Sequence, residues 1–134
     1  MKKGKQRLYF LRKLESFSIN ETILSLFYKS FIESVITFSF ICWFQNLSLK
    51  HKNSIEKMVI LSSKIIGAPQ RSILSFYKQQ CLRKARSILN SDHILTSEFQ
   101  MLPSGRRFRC PISKTNRFKN SFIPTAVRFL NDAS

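Results

Sequence analysis

The residues best suited to chemistry in this sequence are cations interleaved with aromatic rings near the carboxyl end. Segment 106–119 carries no acidic residue, and Phe108 and Phe118 lie among its cations. Dense cations bind phosphates, and exposed rings stack on bases. The basic residues are Arg106, Arg107, Arg109, Lys114, Arg117 and Lys119. The pattern predicts a nucleic-acid-binding arm with both rings on bases, while packing of the same rings against helices is an equal alternative.

A second group of cations lies at the amino end. Residues 5–17 place Leu8, Leu11 and Leu14 on one stripe, which predicts an amphipathic helix. Most cations of this region fall elsewhere around the helix, where they remain accessible to a polyanion. They are Lys2, Lys3, Lys5, Arg7, Arg12 and Lys13. We expect these side chains to contact phosphates.

Charge and hydrophobicity together narrow the possible partners. The 134 residues contain 23 Lys+Arg against 7 Asp+Glu, a formal net charge of +16, and 43% are hydrophobic. The hydrophobic share is large enough for a core, so disorder throughout is not expected. Such an excess of positive charge favours a polyanion, with RNA or DNA first and an anionic membrane surface second.

Catalytic and metal-binding patterns are absent from the sequence. His51 and His93 belong to no metal-ligand motif, and Cys42, Cys81 and Cys110 form no C-x-x-C pair. Three glycines provide no phosphate-binding loop. We therefore expect no cofactor and no enzymatic activity. An odd cysteine number indicates a reduced, intracellular location, nuclear or cytoplasmic.

The central stretch 20–44 organises the predicted fold. Its first half shows helical periodicity, and from Phe31 onward it is apolar on nearly every side, which predicts one buried helix. A membrane span is the minor alternative, because Glu33 interrupts the stretch and the uncharged run after it is short. Either Ser18 or Asn20 is expected to cap its start.

Two further helices and a short final one are predicted around this stretch. The third has a buried face from Ile55 to Ile66 and ends at Gly67, and the fourth follows Ser72 with an inward face from Leu74 to Leu89. Ser121 is expected to cap the final helix. The predicted fold is all-α, an irregular bundle of about four helices in residues 1–90, followed by a basic, mostly irregular arm in residues 91–134.

Three stretches resemble the C-terminal, post-palm region of LINE-type non-LTR retrotransposon reverse transcriptases. They are KKGKQRLYFLRKLESF, ILSLFYKSFIESVITFSFICWF and LPSGRRFRCPISKTNRFKNSFIPTAVRFLN. The resemblance implies a non-catalytic fragment of a retrotransposon reverse transcriptase that contacts template RNA or target DNA, with the missing palm as a possible partner. The palm's paired aspartates are absent, so no catalytic residue carries over, and Met1 resembles an internal start.

A second resemblance covers the opening stretch KKGKQRLYFLRKLESFSINETIL. It is similar to the short N-terminal domain attached to AlkB-type tRNA-modifying oxygenases and methyltransferases, which implies an accessory RNA-modification module. The iron-binding H-x-D…H triad of those enzymes is absent. A membrane-associated small protein and a non-functional remnant are the remaining alternatives.

Overall fold

The computed structural model describes residues 2–133, and within them the protein is all-α, as predicted. An isolated antiparallel bridge joins Met101 to Phe108, and no named strand is formed in this range. The α-helices are α1 (Lys2–Ser16), α2 (Glu21–Phe27), α3 (Ser34–Thr37), α4 (Phe40–Trp43), α5 (Leu49–Ile66), α6 (Ile73–Leu89), α7 (Asn116–Lys119) and α8 (Phe122–Asp132). A π-helix spans Tyr28–Glu33, and 3₁₀ turns span Phe44–Asn46 and Ile94–Glu98.

The described chain forms two compact units. Unit 1 consists of the described residues up to Phe40 together with Leu47–Ile73. Unit 2 consists of Ile41–Asn46 and the described residues from Leu74 onward. Unit 1 therefore contains α1, α2, the π-helix, α3 and α5, while unit 2 contains nearly all of α6 with α7 and α8.

In unit 1, α1 packs against α5 and against the π-helix. Leu8 and Leu11 are buried, as the leucine stripe predicted. Gly4 lies against α5, where a Cβ would come within 2.5 Å of Cε of Met58, the movable end of a flexible side chain. The apolar side of α1 is thus fixed in the core, which leaves its cationic side at the surface.

The prediction of one buried helix over 20–44 is wrong. The chain is helical without interruption from Glu21 to Thr37, through α2, the π-helix and α3, and a turn where Ser39 adopts a φ of 50° then separates α4. Its hydroxyls help to interrupt it: Oγ1 of Thr37 donates to Glu33 O at 2.8 Å, a bond that bends helices. Burial is also one-sided, since Phe40 is 3% exposed and Phe38 is 77% exposed.

The same segment retains the composition of a membrane span. An 18-residue window within Glu21–Asn46 has a mean hydropathy of 1.3, so the segment is long and apolar enough to cross a bilayer by length and composition. Only 28% of its most apolar window is buried inside the protein. Core helices of soluble proteins pass the same criteria, so this finding adds little weight to the membrane alternative.

The predicted third and fourth helices are confirmed as α5 and α6. Gly67 ends α5 in the left-handed conformation, with φ of 81°, as its position before Pro69 predicted. At the start of α6 the amide of Ile73 donates to Oε2 of Glu56 at 3.1 Å. The predicted inward face of α6 is wrong at its first residue, because Ile73 is buried and Leu74 is 58% exposed.

Unit 2 has its own hydrophobic cluster, formed by α6, α8 and the connection between them. Its buried members are Ala85, Ile88, Phe99, Ala126, Val127 and Leu130. The predicted final helix is confirmed as α8, which buries Ala126, Val127 and Leu130. Oγ1 of Thr96 donates to Ile88 O at 3.0 Å, which holds the start of the connection against the end of α6.

Candidate nucleic-acid interface

The first candidate surface is the cationic side of α1, which lies in unit 1. Helical spacing places Lys2 and Lys13 opposite Leu11, and their neighbours flank them. Its five members, Lys2, Lys3, Lys5, Arg12 and Lys13, are all exposed. We call these five residues the α1 basic face. With Glu15 as the sole acidic residue of α1, this face can bind phosphates without internal competition.

Arg7 differs from the other cations predicted on α1. It is half-buried, and its Nη1 donates to the carbonyl oxygen of Phe31 in the π-helix. A guanidinium carries five N–H donors, so this bond leaves others for a ligand. Arg7 is thus held in a fixed position at the junction of α1 and the π-helix.

The second candidate surface is a hairpin-like loop in unit 2. Leu102 N donates to Arg107 O at 2.8 Å, and Arg109 N donates to Gln100 O at 2.7 Å. Gly105 turns the chain with a φ of 65°. Arg106, Arg107 and Arg109 are exposed on this loop, which we call the arginine hairpin (residues 100–109). Pro103 and Gly105 are residue types typical of turns, but the sequence carries no signal for the pairing around them.

Asn131 of α8 fixes the arginine hairpin to the hydrophobic cluster of unit 2. Its Oδ1 accepts from Phe108 N at 2.8 Å, and its Nδ2 donates to Phe108 O at 3.0 Å. The half-buried Phe108 ring packs on that cluster, with an edge-on contact to Phe99 at 6.2 Å between centroids. Phe108 therefore takes the packing role that the sequence left open beside base stacking.

The remaining predicted arm residues are at the surface of unit 2. Lys114 is exposed, as are Arg117 and Lys119 on α7. Thr115 caps this one-turn helix by accepting from Phe118 N at 3.3 Å. The Phe118 ring is 45% exposed, so part of it remains available to a base.

A cavity of about 360 Å³ opens beside the α1 basic face within unit 1. Three phenylalanines and a leucine line it, and two cations complete the lining. The residues are Arg7, Phe10, Lys13, Leu14, Phe27 and Phe31, and we call the cavity the Phe pocket. The rings of Phe27 and Phe31 stack at 4.9 Å between centroids with 24° between their planes.

Burial shifts the pKa of several groups in the two cores. It raises the pKa of Cys81 to about 11, and it raises that of Tyr77 beside it. Burial first, and then the charges of Glu33 and Glu56, raise the pKa of Tyr28, while Arg71 opposes this shift. These groups stay neutral at physiological pH, and none lines the Phe pocket.

The histidines contribute to local structure. Nδ1 of His93 accepts from Leu95 N at 3.1 Å and caps a 3₁₀ turn, and His51 pairs with Oγ of Ser48 at 2.7 Å. Across residues 2–133, no group of three or more histidine, cysteine or acidic residues could hold a metal ion.

Two features were missed from the sequence. The i, i+4 spacing of Phe27 and Phe31 was a signal for adjacent rings, but nothing indicated that Phe10 would share their cavity. The second is Asn131, because no local signal marks an amide that pairs with Phe108, 23 positions earlier.

Comparison with known proteins gives one family match. Residues 1–34 match the family described as alkylated DNA repair protein alkB homolog 8, N-terminal. The match covers α1, α2 and the π-helix, about a quarter of the chain. No curated protein and no solved structure matches this sequence.

Proposed function

We propose that this chain is a non-catalytic, RNA-binding accessory module, of the kind found at the N-terminus of AlkB-type tRNA-modifying enzymes. The observation that carries the proposal is the α1 basic face, because it lies within the family match over residues 1–34. A reduced intracellular compartment suits the module, whose three cysteines are free thiols. The partner would be a folded RNA, bound mainly through its phosphates.

The physical basis of binding is release of counterions from the RNA backbone. The α1 basic face presents five cations, and the whole chain carries a net charge of +16. Each cation that neutralises a phosphate adds to the dependence of affinity on salt, with a slope of about −0.7 to −0.9 per contact. We therefore expect a steep salt dependence and little sequence selectivity.

Binding of the full chain to a tRNA transcript and to duplex DNA across a salt series tests the proposal. The triple variant Lys3→Ala, Lys5→Ala, Arg12→Ala should reduce the salt slope for tRNA by about 2 to 3 units. The matched control removes three exposed lysines of α5, and it should change the slope by less than about 1 unit. The control lysines are Lys50, Lys57 and Lys64. Equal losses in both triple variants would refute the assignment to α1.

A second candidate function is that of a nucleic-acid-binding fragment of a retrotransposon reverse transcriptase. The exposed arginines of the arginine hairpin favour it. The reverse-transcriptase resemblance stays a prediction. It requires that an RNA–DNA hybrid binds at least as tightly as tRNA and that the arm carries the contact. The variant Arg106→Ala, Arg107→Ala, Arg109→Ala should then reduce the salt slope more than the α1 triple variant does. Binding to anionic vesicles in preference to both nucleic acids would instead favour the membrane alternative.

A further inference from the structure

Phosphate binding by the α1 basic face does not account for the aromatic lining of the Phe pocket. Three of its six lining residues are phenylalanines, and two of them, Phe10 and Phe31, are 48% and 51% exposed. Rings exposed to this degree around a cavity of about 360 Å³ form a binding surface rather than a packed core. Flat aromatic walls favour a flat ligand.

The backbone around the pocket is unusual. Phe31 lies inside the π-helix, where Ser34 N donates to Lys29 O, five residues earlier. Such widened turns are rare and frequently occur at functional sites. Arg7 bonds the carbonyl of Phe31, so the cation and the stacked pair of Phe27 and Phe31 are held together.

The charges around the pocket define the ligand further. Arg7 and Lys13 are its charged lining residues, and the lining includes no carboxylate. Nζ of Lys13 also lies 5.9 Å from the centroid of the Phe17 ring, which keeps the ammonium group near an aromatic surface. A flat apolar group that carries phosphate on either side matches this combination.

We propose that the Phe pocket binds one unstacked base of single-stranded RNA, with the flanking phosphates on Arg7 and Lys13. This inference rests on the proposed function, which it deepens from backbone contact to capture of a base. Every nucleobase has a π-face, so stacking on Phe10 and Phe31 tolerates any sequence. The acyl chain of a fatty acid would gain no comparable advantage from aromatic walls. The two cations of the pocket would also exceed the single negative charge of its carboxylate.

The test uses the full chain and a short unstructured RNA with 2-aminopurine at one position. Stacking of this base on Phe10 or Phe31 should quench its fluorescence and give a preference for single-stranded over duplex RNA. Phe31→Leu and Phe10→Leu keep an apolar pocket but remove an aromatic wall. Each should reduce the quenching and raise the Kd for single-stranded RNA about 5- to 10-fold, with little change for duplex RNA.

Two controls separate base capture from a structural effect. Phe38→Leu replaces a phenylalanine that is 77% exposed and lies outside the pocket lining, and it should leave both RNA affinities unchanged. An RNA of the same length in which every nucleotide is abasic keeps its phosphates but offers no base to the pocket. Wild-type protein should bind the abasic RNA more weakly than it binds the intact RNA. The Phe31→Leu variant should bind the two RNAs with about the same, weakened affinity.

The outcomes distinguish this inference from the proposed function. Steep salt-dependent RNA binding without quenching, or with equal affinity for the abasic RNA, would refute base capture and leave the α1 basic face in place. If the wild-type chain bound no RNA at all, both base capture and the proposed RNA-binding function would be refuted. Displacement of the RNA by a long-chain fatty acid, with no abasic effect, would assign the pocket to an acyl chain.

Discussion

Asn131 offers the sharpest test of how the arginine hairpin is held. Asn131→Ala removes both amide bonds to Phe108, of 2.8 and 3.0 Å, and leaves a half-buried N–H and C=O without their partner. At about 0.5–1.5 kcal/mol per bond, the free energy of unfolding of unit 2 should fall by about 1–3 kcal/mol. The Cys42, Cys81 and Cys110 thiols are kept reduced throughout.

The assay is urea unfolding followed by the fluorescence of Trp43. Trp43 is the single tryptophan of the chain, and it belongs to unit 2, where its ring lies 6.3 Å from that of Phe44. A loss of about 2 kcal/mol lowers the urea midpoint by roughly 1 M. Asn131→Asp keeps an acceptor for the amide of Phe108 but turns an anionic oxygen toward its carbonyl, so it should destabilise at least as much.

Asn90→Ala, at an exposed position after α6, is the matched control and should stay within about 0.5 kcal/mol of wild type. If Asn131→Ala unfolds at the same midpoint as Asn90→Ala, the amide pairing contributes nothing and the reasoning fails. If the pairing also orients the hairpin, the arginine substitutions described above should change the salt slope less in the Asn131→Ala background than in wild type.

Three further predictions concern the cores. Burial raises the pKa of Cys81 from 9.0 to about 11, because the fold favours the neutral thiol. The contribution of this neutral thiol to the free energy of unfolding is therefore complete below pH 9. About 2–3 kcal/mol is lost as the pH rises through 11. Tyr28→Phe should raise the free energy of unfolding by about 1 kcal/mol, because the Tyr28 hydroxyl is buried with no hydrogen-bond partner among the described residues. Gly4→Leu should cost about 1–3 kcal/mol, since its side chain would meet Met58.

Each of these three has its own measurement. Urea unfolding between pH 8 and 11 should show a shallower loss of stability in Cys81→Ala than in wild type; parallel curves would contradict the shift. Thermal melting compares Tyr28→Phe with Tyr9→Phe, whose ring is 62% exposed, and only the former should gain. The double variant Gly4→Leu, Met58→Ala should lose less stability than the sum of the two single losses, and strict additivity would contradict the contact.

The sequence by itself determined the all-α class, the ends of its clearest helices and the exposure of most of its cations, with Arg7 as an exception. Gly67 and Asn20 act through their own backbone neighbours: Gly67 accepts a φ of 81°, and Oδ1 of Asn20 accepts from Thr22 N at 2.7 Å. The apolar stripe of α1 needs only helical periodicity to place its cations outward. Such features depend on residues within a turn of each other, so a local pattern identifies them.

Only the tertiary structure decided the breaks in the central stretch, the role of Phe108 and the existence of the Phe pocket. Phe108 is held by an amide 23 residues away, and Phe10 and Phe31 share a cavity although they lie on different helices. At Ser39 the turn requires a left-handed backbone conformation, which a serine at this position does not predict. Each outcome depends on which distant residues come together when the cores form, and periodicity carries no information about that.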